Sequence, residues 1–116
     1  MNNDYPSFRL GYIHLIRAEA RSRNAGDWSL AEPDVTALRG RAGLGPMASI
    51  TADSFFDELG REMFQESDRR TSLIRFGKFG DAWWEKAASA DFRTMFPIPQ
   101  SQIDASGGTL TQNPGY

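Results

Sequence analysis

Hydrophobic residues recur with helical spacing in two stretches of the chain. From Phe8 to about Asn24 the apolar residues lie on one face of a helix, and the charged residues lie mostly off that face. From Ala52 to Met63 an apolar stripe is opposed by acidic and basic residues, and Thr51 is well suited to cap a helix that starts after it. We therefore predict one amphipathic helix in each stretch.

A weaker helical pattern lies between these two helices, within Trp28 to Ala42. Gly26 is expected to end the first helix, and Asp27 is expected to cap the element that follows. Pro33 either starts the second helix or distorts its first turn, because proline cannot donate a backbone hydrogen bond. The short connection between the two helices predicts an antiparallel pair.

The C-terminal third carries signals for turns and extended chain. After a short fourth helical segment, Gly77 and Gly80 break the helical pattern, and the prolines of Phe96–Pro99 favour an extended backbone. The predicted fold class is therefore mainly α: an antiparallel helix pair, a third helix and an irregular, extended C-terminal tail. We expect a single domain with a helical part over about 8–76 and an irregular closing segment over about 77–116.

The length and composition narrow the classes of function. A chain of 116 residues is one domain's worth, and a net charge of -2 provides no electrostatic footprint for nucleic acid. Residues 1–7 are polar and are expected to form an arm, without the pattern of a signal peptide. The chain has no cysteine, and hence no disulfide, thiolate metal site or lipid-accepting thiol. No cofactor is expected.

The stretch from Gly60 to Phe79 alternates carboxylates, arginines and aromatic residues. Its charged members predict a structural ion-pair cluster made of Glu62, Glu66, Arg69, Arg70 and Arg75. A glycosidase would instead use Glu62 and Glu66 as an acid/base pair. The nearby arginines favour ion pairing over that role, so we expect no catalytic residue and no enzyme.

Two further features allow a functional and a structural interpretation. His14 is the sole histidine and has no nucleophile or spaced acid beside it in sequence, so a structural role is favoured. Trp83 and Trp84 are able to stack on sugar rings or to pack in a core, and the core interpretation is favoured. The sequence has no metal-ligand spacing and no phosphate-binding glycine loop.

Several sequence blocks become informative when they are taken in order. They are Tyr12–Ala20 with its Ala-Glu-Ala ending, Gly26-Asp27, Ala37–Leu44, the charged block Gly60–Lys78, and the closing pair Phe96–Pro99 and Gln112–Tyr116. This ordered set resembles the C-terminal part of the SusD/RagB family of outer-membrane nutrient-uptake lipoproteins. The resemblance covers nearly the whole chain.

The resemblance implies a tetratricopeptide-like helix pair and a role in binding glycans or other nutrients together with a TonB-dependent transporter at the surface of the outer membrane. The family's sugar-contacting residues lie mainly outside the matching part, so none is carried over. This chain is expected to supply scaffold as a C-terminal fragment. The alternative is a stand-alone helical-repeat module that presents the Ala42–Ile50 and Trp83 regions to a protein partner. Apolar helix faces also predict marginal stability or self-association of the fragment.

Four positions depart from the pattern of the family. Ser72 stands where the family usually has Asp, Ser67 where Gly is common, and Leu59 where Arg is frequent. Pro33 is unusual within the second helix. The loss of an acid at position 72 raises the question of which groups replace it as partners of the arginines.

Overall fold

A computed structural model describes residues 7–116 of the chain. The arm predicted over residues 1–7 lies, except for Ser7, outside the described residues. The chain divides into two compact units, the first ending at Arg69 and the second running from Arg70 to Tyr116. That the chain forms a single domain stays a prediction.

The first unit begins with a helical hairpin whose ends are defined by local chemistry. Helix α1 spans Leu10–Ala25 and ends at Gly26, which has a left-handed φ of 68°. The Gly26 and Asp27 amides then donate to the carbonyls of Arg23 and Ser22, which is a Schellman arrangement. The predicted stop at Gly26 is confirmed.

A short 3₁₀ helix over Trp28–Ala31 joins α1 to helix α2, which spans Glu32–Arg41. The Asp27 carboxylate accepts a hydrogen bond from the Ser29 amide at 2.9 Å, as its predicted capping role requires. Pro33 lies in the first turn of α2, where its missing N–H costs nothing, so the helix starts there without distortion.

The two helices are antiparallel. Leu10 and His14, near the start of α1, line the same cavity as Leu38 and Arg41, near the end of α2. Helix α3, Ala52–Glu62, follows after a connecting segment and is capped by Thr51. The Ser54 amide donates to Thr51 Oγ1 at 3.2 Å and the Thr51 amide donates to Ser54 Oγ at 2.9 Å, which forms a capping box.

The core of the first unit is built from one face of each helix. Its buried hydrophobic residues are Leu15, Ala18, Ala31, Val35, Leu38, Ile50, Phe55, Phe56, Leu59 and Met63. Trp28 extends this core, because its ring lies 5.2 Å from the Phe55 ring. The predicted apolar stripe of α3 is therefore the face that is buried.

Helix α4, Arg69–Arg75, begins at the boundary of the second unit. The second unit also contains a 3₁₀ helix over Asp91–Thr94 and the short helix α5, Gln100–Ala105. Within the described residues there is no β-strand, and an isolated bridge joins Trp83 to Lys86.

The two closing sequence motifs bind each other. The side-chain amide of Gln112 donates to the carbonyl of Ile98 at 2.9 Å and accepts from its N–H at 2.8 Å. The Asn113 side-chain amide donates to the Phe96 carbonyl at 2.7 Å, and the Tyr116 hydroxyl donates to the Met95 carbonyl at 2.8 Å. The extended backbone has no strand partner in the described residues, so these side chains satisfy its polar groups instead.

Candidate functional site

The acidic residues of the charged block meet on an arginine from the other end of the chain. Arg9 Nη1 lies 2.6 Å from Glu62 Oε1, and Arg9 Nε lies 2.7 Å from Glu66 Oε2. Arg9 Nη2 also donates to the backbone carbonyl of Glu62. The side-chain hydrogen bonds to Glu66 and then to Glu62 raise the pKa of the Arg9 guanidinium above its usual range. The guanidinium thus joins the start of α1 to the end of α3.

This geometry favours an ion pair over an acid/base pair for Glu62 and Glu66. One guanidinium occupies the space between the two carboxylates, where the bond to be cleaved would have to lie in a glycosidase. Glu62 Oε1 is also within 3.0 Å of Arg41 Nη2. Sequence reasoning missed Arg9 because it lies 53 and 57 residues from its two partners, so that no local spacing connects them.

The Arg9 contact uses space beside Gly11, two residues further along the chain. A Cβ atom at Gly11 would overlap Arg9 Nη1 and would lie 2.9 Å from Glu62 Oε1. Gly11 therefore provides the room in which the guanidinium reaches the glutamate. The φ angle of Gly11 is not in the left-handed region, so the requirement is one of space and not of backbone conformation.

Arg69 uses a second glycine in the same way. Its guanidinium lies 4.1 Å from the centroid of the Phe56 ring, and Nη1 donates to the Phe56 carbonyl at 3.4 Å. A Cβ atom at Gly60 would lie 2.5 Å from Arg69 Nη1. The ring face and the carbonyl of Phe56 hold this arginine, which occupies the space left because Gly60 of α3 has no side chain.

Arg70 and Arg75 also contact aromatic rings. Arg70 Nη2 donates to the carbonyls of Arg93 and Thr94, at 3.3 and 3.0 Å. The Arg70 guanidinium lies 4.1 Å from the Phe96 ring centroid, and that of Arg75 lies 5.8 Å from the Phe76 centroid. The expected arginine contacts to backbone carbonyls are thus present. That Glu62, Glu66, Arg69, Arg70 and Arg75 form one structural cluster stays a prediction.

His14 has an acidic partner that its sequence neighbourhood does not reveal. His14 Nδ1 lies 2.7 Å from Oδ1 of the buried Asp34, and Arg17 binds both oxygens of the same carboxylate. The hydrogen bond from Arg17 lowers the pKa of Asp34 despite the opposing effect of burial, and His14 lowers it further. These contacts join α1 to α2, in agreement with the structural role expected for His14.

The core interpretation of the tryptophan pair is wrong. The Trp84 side chain is 93% exposed and that of Trp83 is 53% exposed. Backbone hydrogen bonds in both directions between Trp83 and Lys86, at 3.0 and 2.8 Å, close a tight turn in which Trp84 has a φ of 42°. The turn displays the indole to solvent, and the sequence has no local signal for that orientation.

Neither a metal-holding cluster nor a membrane-spanning helix is present in the described residues. Within residues 7–116 no group of three or more His, Cys, Asp or Glu side chains is placed to hold a metal ion. In the same part of the chain, no helix has the length and apolar character needed to span a bilayer.

Comparison with known proteins now identifies the family. The model of the SusD family matches residues 1–95. The chain belongs to the SusD family. It is 36% identical to the starch-binding protein SusD of Bacteroides thetaiotaomicron over 125 aligned residues, which cover 99% of this chain and 22% of that protein.

Solved structures agree with this assignment. The fold matches the surface glycan-binding protein A from Bacteroides thetaiotaomicron with a TM-score of 0.81 and 31% identity, covering 97% of this chain and 25% of that one. The same protein in complex with laminarihexaose matches with a TM-score of 0.81 and 32% identity. The chain thus spans about a quarter or less of the length of these relatives.

The predicted fold class is confirmed. The described part of this SusD-family chain is mainly helical, with a tetratricopeptide-like antiparallel pair, a third helix and an irregular C-terminal tail. The departures from the family pattern also have structural counterparts. Ser67, where the resemblance places a glycine, has a left-handed φ of 62°, and Leu59 is buried in the core at 1% exposure. Ser72 is buried, while rings and carbonyls serve as partners of Arg69 and Arg70.

We predict that Gly11→Ala destabilises the protein by about 1 kcal/mol. Alanine in a helix gains up to about 1 kcal/mol over glycine, but charge-assisted hydrogen bonds worth roughly 1.5–3 kcal/mol are displaced when the new Cβ moves Arg9. Urea unfolding followed by circular dichroism measures the change. The matched control is Gly40→Ala in α2, because a Cβ atom there meets nothing within 4 Å.

A double-mutant cycle separates the displacement of Arg9 by the new Cβ atom from the effect of alanine on the helix backbone. In an Arg9→Gln background, Gly11→Ala is expected to become stabilising, since the group that it displaces is gone. If Gly11→Ala stabilises the unmutated chain as much as Gly40→Ala does, Gly11 is not needed to make room for Arg9.

Proposed function

We propose that this chain is the scaffold portion of a non-enzymatic, cell-surface glycan-binding protein. The observation that carries the proposal is the match of almost the whole chain to a surface glycan-binding protein, with a TM-score of 0.81. One relative is named for binding starch, and a solved relative is named with bound laminarihexaose. Those names describe the whole relatives, of which this chain spans about a quarter or less.

The contacts of the charged groups support a scaffold role. Glu62 and Glu66 are engaged by Arg9, and Glu58 is engaged by Arg39 and Arg61. Side chains that are committed to ion pairs position the backbone and are not free to bind a neutral sugar. Under this proposal, most of the glycan contacts belong to the larger part of the family fold.

Isothermal titration calorimetry with maltohexaose and laminarihexaose tests this role. We expect a protein of full family length that contains this segment to bind at least one of these neutral glycans. The 116-residue chain alone is expected to bind both at least tenfold more weakly. Equal affinity of the two proteins would contradict the scaffold role, and failure of the longer protein to bind any glycan, neutral or anionic, would contradict glycan binding. Release of reducing ends that Glu66→Gln abolishes would contradict the non-enzymatic role.

We further propose that the whole protein works with a TonB-dependent transporter at the surface of the outer membrane. The support is the resemblance of the ordered sequence blocks and membership of the family. The test is affinity isolation of the tagged native protein from detergent-solubilised outer membranes, followed by mass spectrometry. Such a transporter is expected among the major co-isolated proteins. Recovery from the cytosol without a transporter would contradict the proposal.

The outer face of α1 supports a separate proposal about the isolated chain. Leu10, Ile13 and Ile16 are 73, 48 and 44% exposed, on the side of the helix opposite the buried Leu15 and Ala18. The single apolar face predicted for α1 is therefore wrong: the helix is apolar on two faces, which is typical of a helix packed between two layers. We propose that a second copy covers this face when the chain is studied alone.

Sedimentation velocity tests self-association. The 13.0 kDa chain is expected to form a species of higher mass at micromolar concentration, and Ile13→Gln is expected to shift it toward monomer. Leu30→Gln, at a residue that is 43% exposed outside this face, serves as the control. A monomer at all concentrations would contradict the proposal.

Exposed apolar residues outside α1 support a second candidate function. Leu44 is 53% exposed in the Ala42–Ile50 connection, and Trp83 is exposed to the same extent. These are the regions that a stand-alone helical-repeat interaction module would present to a protein partner. Among the proteins recovered in the affinity isolation, a soluble partner in place of a transporter would favour this alternative.

A further inference from the structure

The second unit contains an open cavity of about 600 Å³ whose wall carries three cationic side chains. They are Arg70, Lys86 and Arg93, and no Asp or Glu side chain takes part in the lining. A cavity of this volume lies within the range of sites that bind small ligands. The combination is notable because the chain as a whole has a net charge of -2.

The positive charges in this wall are held by neutral groups. Lys86 Nζ donates to the carbonyls of Asp81 and Ala87, at 2.8 and 3.3 Å, and to Ser89 Oγ at 3.3 Å. Arg70 donates to two backbone carbonyls, and the Arg93 guanidinium lies 5.4 Å from the Phe92 ring centroid. Carbonyls, hydroxyls and rings fix the positions of the cations, but they do not cancel a full positive charge.

Among the described residues, no salt bridge to a carboxylate is seen for Arg70, Lys86 or Arg93. Salt bridges in this part of the chain connect Arg9, His14, Arg17, Arg23, Arg39, Arg41 and Arg61 to acidic side chains, and none of these includes a cation of the cavity. Like charges that converge in a concave wall reinforce one another's field and attract an anion. The cavity is therefore electrostatically complementary to a negatively charged ligand.

Aromatic side chains supply the apolar part of the same wall. Phe96 is 70% exposed and Tyr116 is 48% exposed, and the Tyr116 ring packs edge-on against Phe92 with centroids 5.0 Å apart. The close approach of the tail to Phe92 requires Gly115, where a Cβ atom would lie 2.5 Å from the ring. Ring faces of this kind receive the C–H faces of sugars.

We propose that this cavity binds an anionic sugar unit, with the cations holding its carboxylate or sulfate and the aromatic rings contacting its apolar face. The inference rests on the proposed function and adds a class of glycan to it. Arginine suits this task because its planar group donates paired hydrogen bonds to oxyanions. An extended polyanion such as nucleic acid is disfavoured, because the chain is net negative and the cavity wall carries only three cations.

Calorimetric titration of the 116-residue chain tests the proposal with three probes: trigalacturonate for carboxylates, a sulfated carrageenan tetrasaccharide for sulfates, and neutral laminarihexaose. We expect at least one anionic probe to bind tenfold or more tightly than laminarihexaose in 50 mM salt. Raising the salt to 300 mM is expected to weaken that binding several-fold, because ions screen exposed charges. The anionic probe that binds more tightly shows whether the cavity prefers a carboxylate or a sulfate.

Arg93→Gln is the decisive variant, since the contact of Arg93 in the described structure is with the Phe92 ring and the variant breaks no hydrogen bond of the fold. It is expected to lower the affinity for the anionic probe at least fivefold, and Arg93→Lys is expected to restore part of it. Arg21→Gln, which removes the same charge from an exposed position on α1, is the control and should bind as the unmutated chain does. Thermal melts by circular dichroism verify that each variant is folded.

Three results obtained with the 116-residue chain would overturn the inference. They are equal binding of anionic and neutral probes, unchanged binding by Arg93→Gln, and no binding of either anionic probe. Binding by the short chain that is absent in a protein of full family length would also overturn it, since the cavity would then be covered. In each case the proposed function stands if the longer protein binds neutral glycans, and it fails if that protein binds no glycan.

Discussion

The contact between Arg9 and the end of α3 is the interaction on which the first unit depends. One guanidinium engages two carboxylates and the backbone carbonyl between them, and it does so from the residue that precedes α1. The His14 and Arg17 contacts with Asp34 then fix α2 against α1. Polar contacts of this kind determine the register in which the apolar faces pack, while burial of those faces supplies most of the stabilisation.

Several arginines of the chain are placed by glycines, backbone carbonyls and aromatic rings. Gly60 and Gly11 leave room for the guanidinium groups of Arg69 and Arg9, and Arg70 is placed by carbonyls and aromatic rings. This pattern explains how the chain accommodates Ser72 in place of the expected acid. A planar cation binds ring faces and carbonyl oxygens as well as carboxylates, so one lost carboxylate does not leave it without contacts.

The parts of the structure that sequence reasoning predicted are those encoded locally. The Gly26 stop, the Thr51 cap and the stripe of α3 depend on residues within one or two helical turns, and each was confirmed. The Arg9 and Asp34 contacts were missed because their partners are 17 to 57 residues away. Trp84 was misjudged because composition does not reveal whether a turn points its side chain inward or outward. The cationic cavity likewise exists only after Arg70 and Arg93 are brought together by the fold.

The carbonyl of Glu62 illustrates a consequence for the order of folding. The last carbonyls of a helix lack partners within the helix, and here one of them is satisfied by Arg9 from 53 residues earlier in the chain. The C-terminal end of α3 is therefore completed by a distant segment, whereas its N-terminal end is completed by its own Thr51 and Ser54. Closing so long a loop costs entropy before the contact repays it. We infer that α3 nucleates from its capped start and that its last turn is fixed only when α1 has docked.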